Sequence, residues 1–209
     1  MHAFIVYAHP SEESFTHSVL MAFIEGLKES GHSYEISDLY KINFKSDMDF
    51  QEYERESGIN IKKVVPDDVK KEQEKIDKAD VLVFIYPVWW SDCPAKMKGW
   101  FDRVYTLGYA YSYENGEHTT SQIKVNKALI ICPAGHTVEH LEEVGIAESM
   151  RRIMIRDRLI GVGIKEAKMI ILGGMVSKDS EVREENLETA NYFGKSISEI
   201  WSEKPFESG

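Results

Sequence analysis

Apolar positions along this chain come in two kinds of block: short unbroken runs, and longer stretches where they recur every three or four residues. The unbroken runs are Phe4 to Ala8, Val81 to Tyr86 and Lys127 to Cys132, with a shorter one at Lys168 to Leu172, while Tyr34 to Asp38 reads as a second, shorter strand. Runs of this length, rich in β-branched and aromatic residues, predict strands buried in a parallel sheet. The periodic stretches lie between them. A helix is predicted from Ser14, a good N-cap, with Phe15, Val19, Ala22, Phe23 and Leu27 on one face, stopping at Ser30-Gly31. Further helices are predicted over Pro66 to Ala79 and from Pro94 to about Tyr105, where Met97, Trp100, Phe101 and Val104 share a face. Two more follow, from Glu139 to about Leu159 with Gly145 inside it, and from Ser180 to Trp201.

Two segments break the pattern. Residues 39–65 are aromatic and charged without a clear period, and predict a surface excursion with one helical turn near Phe50 to Glu54. Gly108 to Asn126 is a second excursion, in which the Tyr109 to Tyr113 alternation predicts a short β extension. Strand and helix otherwise alternate, which predicts one doubly wound α/β domain over 1–204, built on a parallel five-stranded sheet with helices on both faces, and a loose tail at 205–209.

Composition narrows the class. With 209 residues there is room for one α/β domain with a real core. The formal net charge of -10 excludes sequence-independent nucleic-acid binding, which needs a basic surface. An anionic ligand must then be held by backbone N–H groups or a local basic residue. Cys93 and Cys132, the only cysteines, suggest neither a disulfide framework nor a structural zinc site, and no resident metal is expected. No stretch approaches the ~20 apolar residues of a membrane span, so a cytoplasmic protein is expected.

The chemistry should lie where strands end, because ligands of doubly wound sheets bind beyond the carboxyl ends of the strands. Three loops leave those ends: His9 to Ser14, Pro87 to Cys93, and Pro133 to Thr137. Pro87 with Trp89 and Trp90 makes a rigid apolar wall suited to a planar ring, which points to an aromatic cofactor. Ser14, Phe15, Thr16 and Ser18 place hydroxyls and unsatisfied N–H groups at a helix start, a seat for phosphate. The same residues also read as an ordinary N-cap beside a surface histidine.

Three stretches carry a resemblance to a known family: His9-Pro-Ser-Glu-Glu-Ser-Phe-Thr16, Tyr86-Pro-Val-Trp-Trp90 with Pro94-Ala-Lys-Met-Lys-Gly-Trp-Phe-Asp-Arg103, and Gly108-Tyr-Ala-Tyr111. Over its first two-thirds the chain resembles the flavodoxin-like NAD(P)H:quinone oxidoreductases of the DT-diaphorase type. That resemblance implies a strand order of 2-1-3-4-5, which makes the three loops neighbours, and a homodimer with each flavin at the subunit boundary. It implies FAD as cofactor, FMN being used by relatives of this size, with NAD(P)H as co-substrate and a quinone-like acceptor reduced by two electrons. His9 to Thr16 with Ser18 would hold the flavin pyrophosphate. Pro87, Val88, Trp89, Trp90 and Ser91 would wall the ring.

The third loop departs from the family. Cys132, Pro133, Ala134 and Gly135 stand where many members carry Thr-Thr-Gly. His140 falls at the position of a ring-side tyrosine, and Ile146 replaces the second relay residue. His140 is therefore expected to act alone as proton donor or charge partner, a role open to an imidazole as a side-chain type. Otherwise it is a solvent-exposed residue at a helix start. Two other classes compete with the enzyme reading. One is a flavin-binding regulatory subunit of a potassium efflux system. The other is a zinc peptidase, since His136-Thr-Val-Glu-His140 matches H-x-x-E-H; Pro133 and Gly135 put His136 in a turn, against that motif's continuous helix. Cys93 has no base to activate it, and Arg151-Arg152 and Arg156-Asp157-Arg158 are expected to be solvated helix charges.

Overall fold

The unbroken apolar runs form the middle of a sheet buried on both faces. A computed structural model describes residues 1–58, 64–114, 117–119, 121–177 and 179–202. In chain order, β1 (His2–Tyr7), α1 (Phe15–Glu29) and β2 (Ser33–Asp38) are followed by α2 (Phe50–Glu56), α3 (Asp67–Lys78), β3 (Val81–Ile85) and α4 (Ala95–Val104). A small hairpin of β4 (Ser112–Glu114) and β5 (Glu117–Thr119) leads to β6 (Lys127–Pro133). Then come α5 (Val138–Glu143), α6 (Ile146–Arg151), a π-helical segment Arg152–Leu159, β7 (Glu166–Leu172) and α7 (Ser180–Lys195).

The main sheet runs β2-β1-β3-β6-β7 with every pair parallel, as the order 2-1-3-4-5 requires. Alternate residues serve opposite faces. Phe4, Val6, Leu82, Phe84 and Ile130 pack with Ile76 of α3, Trp100 of α4 and Leu141 of α5. Ile5, Tyr7, Val83, Ile85 and Leu129 face Val19, Phe23 and Leu27 of α1 and Ala190 of α7. Helices α1 and α7 touch backbone to backbone through two glycines. A Cβ on Gly26 would lie 2.1 Å from Asn191 O, and one on Gly194 would lie 2.2 Å from Phe23 O.

Residues 39–58 of the first excursion are more ordered than their sequence suggests. Asp49 and Glu52 form a full capping box at the start of α2, so the single predicted turn becomes a seven-residue helix. Buried Arg103 of α4 holds it, donating to Glu52 at 2.7 Å and to both oxygens of Asp68. Glu56 then accepts from Leu107 N at 2.5 Å and from the Tyr111 hydroxyl at 3.2 Å, which ties one excursion to the other.

Three sequence expectations are corrected. The helix predicted over Glu139 to Leu159 is broken at Gly145, whose φ of 74° lies in the left-handed region. The last helix ends at Lys195, and Trp201 sits in a separate 3-10 turn, Ile200–Ser202. The β extension occurs, but as the β4–β5 hairpin, so Tyr109 lies outside it. Tail 205–209 is outside the described residues.

Candidate active site at the carboxyl ends of the strands

Strands β1, β3 and β6 are adjacent, so the loops that follow them are brought together at one edge of the sheet. The first loop is shaped by its own short side chains. Ser14 Oγ accepts the His17 N–H at 3.1 Å and caps α1, while Ser11 Oγ accepts the Glu13 N–H at 3.1 Å. His9 Nδ1 lies 3.0 Å from Ser11 N and 3.1 Å from Ser11 O, so protonation decides its partner. Neutral at Nδ1 it accepts the N–H; protonated there it donates to the carbonyl. Burial pushes the His9 imidazole below its ordinary value.

Beneath this loop two enclosed polar atoms, Tyr7 Oη and His17 Nδ1, lack a partner of hydrogen-bond geometry. Their rings meet edge to face at 6.0 Å. Burial raises the Tyr7 hydroxyl to about 12. Enclosed polar groups are almost always paired in native proteins, so a pair left open at a helix N-terminus fits a site that takes a polar or anionic ligand. Thr16 is buried. Ser18, one turn along, is exposed and points its hydroxyl at the Ser14 carbonyl. Phe15 turns away from the loop, with the Arg183 guanidinium 5.0 Å from its ring. Its ring packs against the core on the side of α1 and α7.

The second loop contains a tight reversal. Trp89 N donates to Asp92 O at 2.9 Å and Asp92 N to Trp89 O at 3.2 Å. Trp90 and Ser91, the two residues between, have φ of 51° and 65°. This is the two-residue hairpin turn that normally selects Asn-Gly, and a bulky residue there stores about 1–3 kcal/mol of strain. Trp90 is fully exposed and Trp89 half-exposed, while Pro87 beneath them is buried. The loop is fastened on both sides. The His9 and Trp89 rings meet at 5.8 Å, and Val88 N donates to Pro133 O at 2.8 Å.

The third loop is stapled to the segment after β7. Ala134 N donates to Leu172 O, Met175 N to Ala134 O and Gly174 N to His136 O. Gly173 permits the approach, since a Cβ there would lie 2.7 Å from Val138 N. Cys132 and Ala134 are buried, so they back the loop from the core, and burial raises the Cys132 thiol to about 12. His140 is exposed in the first turn of α5, its ring 4.8 Å from that of His136. His136 precedes the N-cap Thr137, so the two histidines do not share the continuous helix that a zinc peptidase needs. Among the described residues no three metal-ligating side chains cluster.

Arg158 overturns its sequence reading. It is not a solvated helix charge: its side chain is 10% exposed and grips both Asp92 oxygens, each at 3.0 Å. Nothing in the local pattern distinguishes it from Arg156. Cys93, beside the pair, is buried and its thiol is raised to about 12, which leaves it unreactive. Arg158, Tyr105 and Tyr111 line a groove of about 470 Å³ that includes no residue of the three loops. A second cleft of about 540 Å³ lies against α3, where lysines alternate with carboxylates, and shares no residue with the three loops.

Comparison with known proteins agrees with this geometry. A family model described as a flavodoxin-like fold matches residues 1–192. The chain is similar to the structure of an NAD(P)H:quinone oxidoreductase from Methanothermobacter marburgensis, with 54% identity, TM-score 0.90, and coverage of 94% of this chain and 98% of that one. It is 28% identical to an uncharacterised NAD(P)H oxidoreductase of Haemophilus influenzae, over 91% of this chain and 92% of that protein. A ribosyldihydronicotinamide dehydrogenase [quinone] of Rattus norvegicus is 31% identical over 70% of this chain and 69% of its own length.

Proposed function

The chain belongs to the flavodoxin-like NAD(P)H:quinone oxidoreductase family, and on that premise we propose that its three loops hold a flavin and carry two-electron reduction of quinones or similar electrophiles by NAD(P)H. The observation that carries this reading is the joining of the loops: His9 meets Trp89, and Val88 bonds to Pro133. A helix N-terminus for an anion and an aromatic wall for a ring thus belong to one site.

When bound, the flavin supplies the hydride chemistry. The protein supplies position and charge. The first turn of α1 offers N–H groups and the Ser14 cap to the pyrophosphate. Trp89 and Trp90 would wall the ring, and those backbone N–H groups of the second and third loops not already bonded within the chain would favour negative charge on it. A single exposed face serves nicotinamide and quinone in turn, so ping-pong kinetics are expected. The finer reading is FAD rather than FMN, carried by the likeness of the His9 to Thr16 loop to the quinone reductases.

The assembly is proposed to be a homodimer that closes the site. Its support is the fully exposed Trp90, together with Phe50 and Tyr53 standing exposed on α2, a display that few monomers leave to water. Light scattering should report a mass near twice 24.0 kDa; a fully active monomer contradicts it.

The test of the function is the visible spectrum of the purified protein, with the released cofactor weighed. Flavin bands, the mass of FAD and NAD(P)H-quinone turnover are expected. A colourless protein that takes up neither FAD nor FMN refutes the reading, and a flavin-loaded protein without turnover would favour a regulatory role.

A further inference from the structure

We infer that Arg158, through Asp92, is the positioning residue that fixes the ring-wall turn carrying Trp90; the inference rests on the flavin reading of that turn. Trp90 is fully exposed, so no packing within the chain holds its side chain in place. Its backbone and that of Ser91 are both in the left-handed region, which neither residue favours. Left to itself such a turn would sample other conformers. What opposes this is a chain of contacts on the Asp92 side. Asp92 closes the turn with the reciprocal pair to Trp89, and its Oδ1 also accepts Cys93 N at 2.7 Å. The Arg158 fork then takes both carboxylate oxygens, which sets the angle of the carboxylate as well as its position.

Arg158 is itself held on three sides. Its guanidinium lies 5.4 Å from the centre of the Phe101 ring, and Nη1 lies 2.9 Å from Met154 Sδ and 3.4 Å from Cys93 Sγ. The π-helical frame of Arg152–Leu159 brings it there: Met154 and Leu159 are buried while Arg156 stays outside. Such windings recur at functional sites because they re-aim a side chain that an α-helix would carry elsewhere. Lysine could supply the charge but not the fork.

The test uses the full chain in two variants, Arg158→Lys and Asp92→Asn, both conservative enough to leave the core intact. The four tryptophans are labelled with 5-fluorotryptophan, and the Trp90 resonance is identified by its absence in Trp90→Phe. In the flavin-free parent, Trp90 should give one narrow ¹⁹F resonance. In each variant it should broaden or split. FAD binding, titrated well below the melting temperature, should weaken on the order of tenfold. Asp92→Asn combined with Arg158→Lys should be no worse than either alone, because one contact is removed in all three. A purely structural role predicts a lower melting temperature with an unchanged Trp90 resonance and unchanged affinity, and that result overturns the inference. So does a split resonance with parental FAD affinity. If the parent binds no flavin, the functional reading fails, and with it the inference, whatever the resonance does.

Discussion

At the scale of single residues, His9 and His140 face opposite fates. His9 is partly buried between the first loop and Trp89, and burial lowers its pKa. The unfolded chain then takes up the proton first as pH falls. Stability that depends on neutral His9 is complete above about 6.5, the ordinary value, and declines as pH drops from there toward the folded value. An NMR titration of the flavin-free protein should place the His9 midpoint below 6.5, and flavin should move it upward if pyrophosphate sits beside it. A midpoint at or above 6.5 without flavin contradicts the burial argument. His140 is exposed next to His136. As a proton donor to the departing quinol it should matter modestly. His140→Phe should slow the quinone half-reaction by about 10²-fold or less, with flavin content unchanged. Variant rates that match the parent in both half-reactions from pH 6 to 8, measured by stopped flow, would make it a bystander. The residue types at the site were legible because loops after parallel strands have a fixed destination. The orientation of Phe15 and the burial of Cys132 were not, since both depend on what α7 and β7 bring alongside.

At the scale of elements, the α1–α7 contact is the least forgiving joint. An added methyl at Gly194 would stand 2.2 Å from Phe23 O and 3.0 Å from Leu27 N, both rigid backbone. Gly194→Ala should therefore destabilise by about 1–3 kcal/mol despite the better helix propensity of alanine. That corresponds to a melting temperature lower by roughly 2–12 °C for a chain of this size. Gly161→Ala, whose Cβ would meet Arg156 O at 3.4 Å, should melt near the parent. A Gly194→Ala protein that melts with the parent would mean the helices can part freely. The central strands β1, β3 and β6 were readable from apolar runs because buried strands have no polar face to confuse them. The region after β6 was not. Its apolar spacing suits one long helix, but Gly145 resets the chain and the π-helical winding shifts every later side chain. Arg158 therefore points inward where helical spacing put it in water. Only the tertiary partner, 66 residues earlier, decides that outcome.

At the scale of the whole molecule, two properties work against each other. The net charge of -10 repels anionic ligands at long range, while the proposed flavin site would have to receive one. Local N–H groups and the α1 terminus must therefore act at contact distance, within the reach of salt screening of about 8–10 Å. The strand order also separates the ends of the chain from their partners in time. Helix α1 is made early, yet its face is covered by β3, β6 and α7, the last of which ends at Lys195. Synthesis at about 5–20 residues per second leaves that face open for roughly ten to thirty seconds on the ribosome. Nascent chains arrested before Ser180 should remain open to protease at α1, and gain protection only once the last helix has cleared the exit tunnel. The glycine joint of α1 and α7 can therefore form only after α7 has emerged.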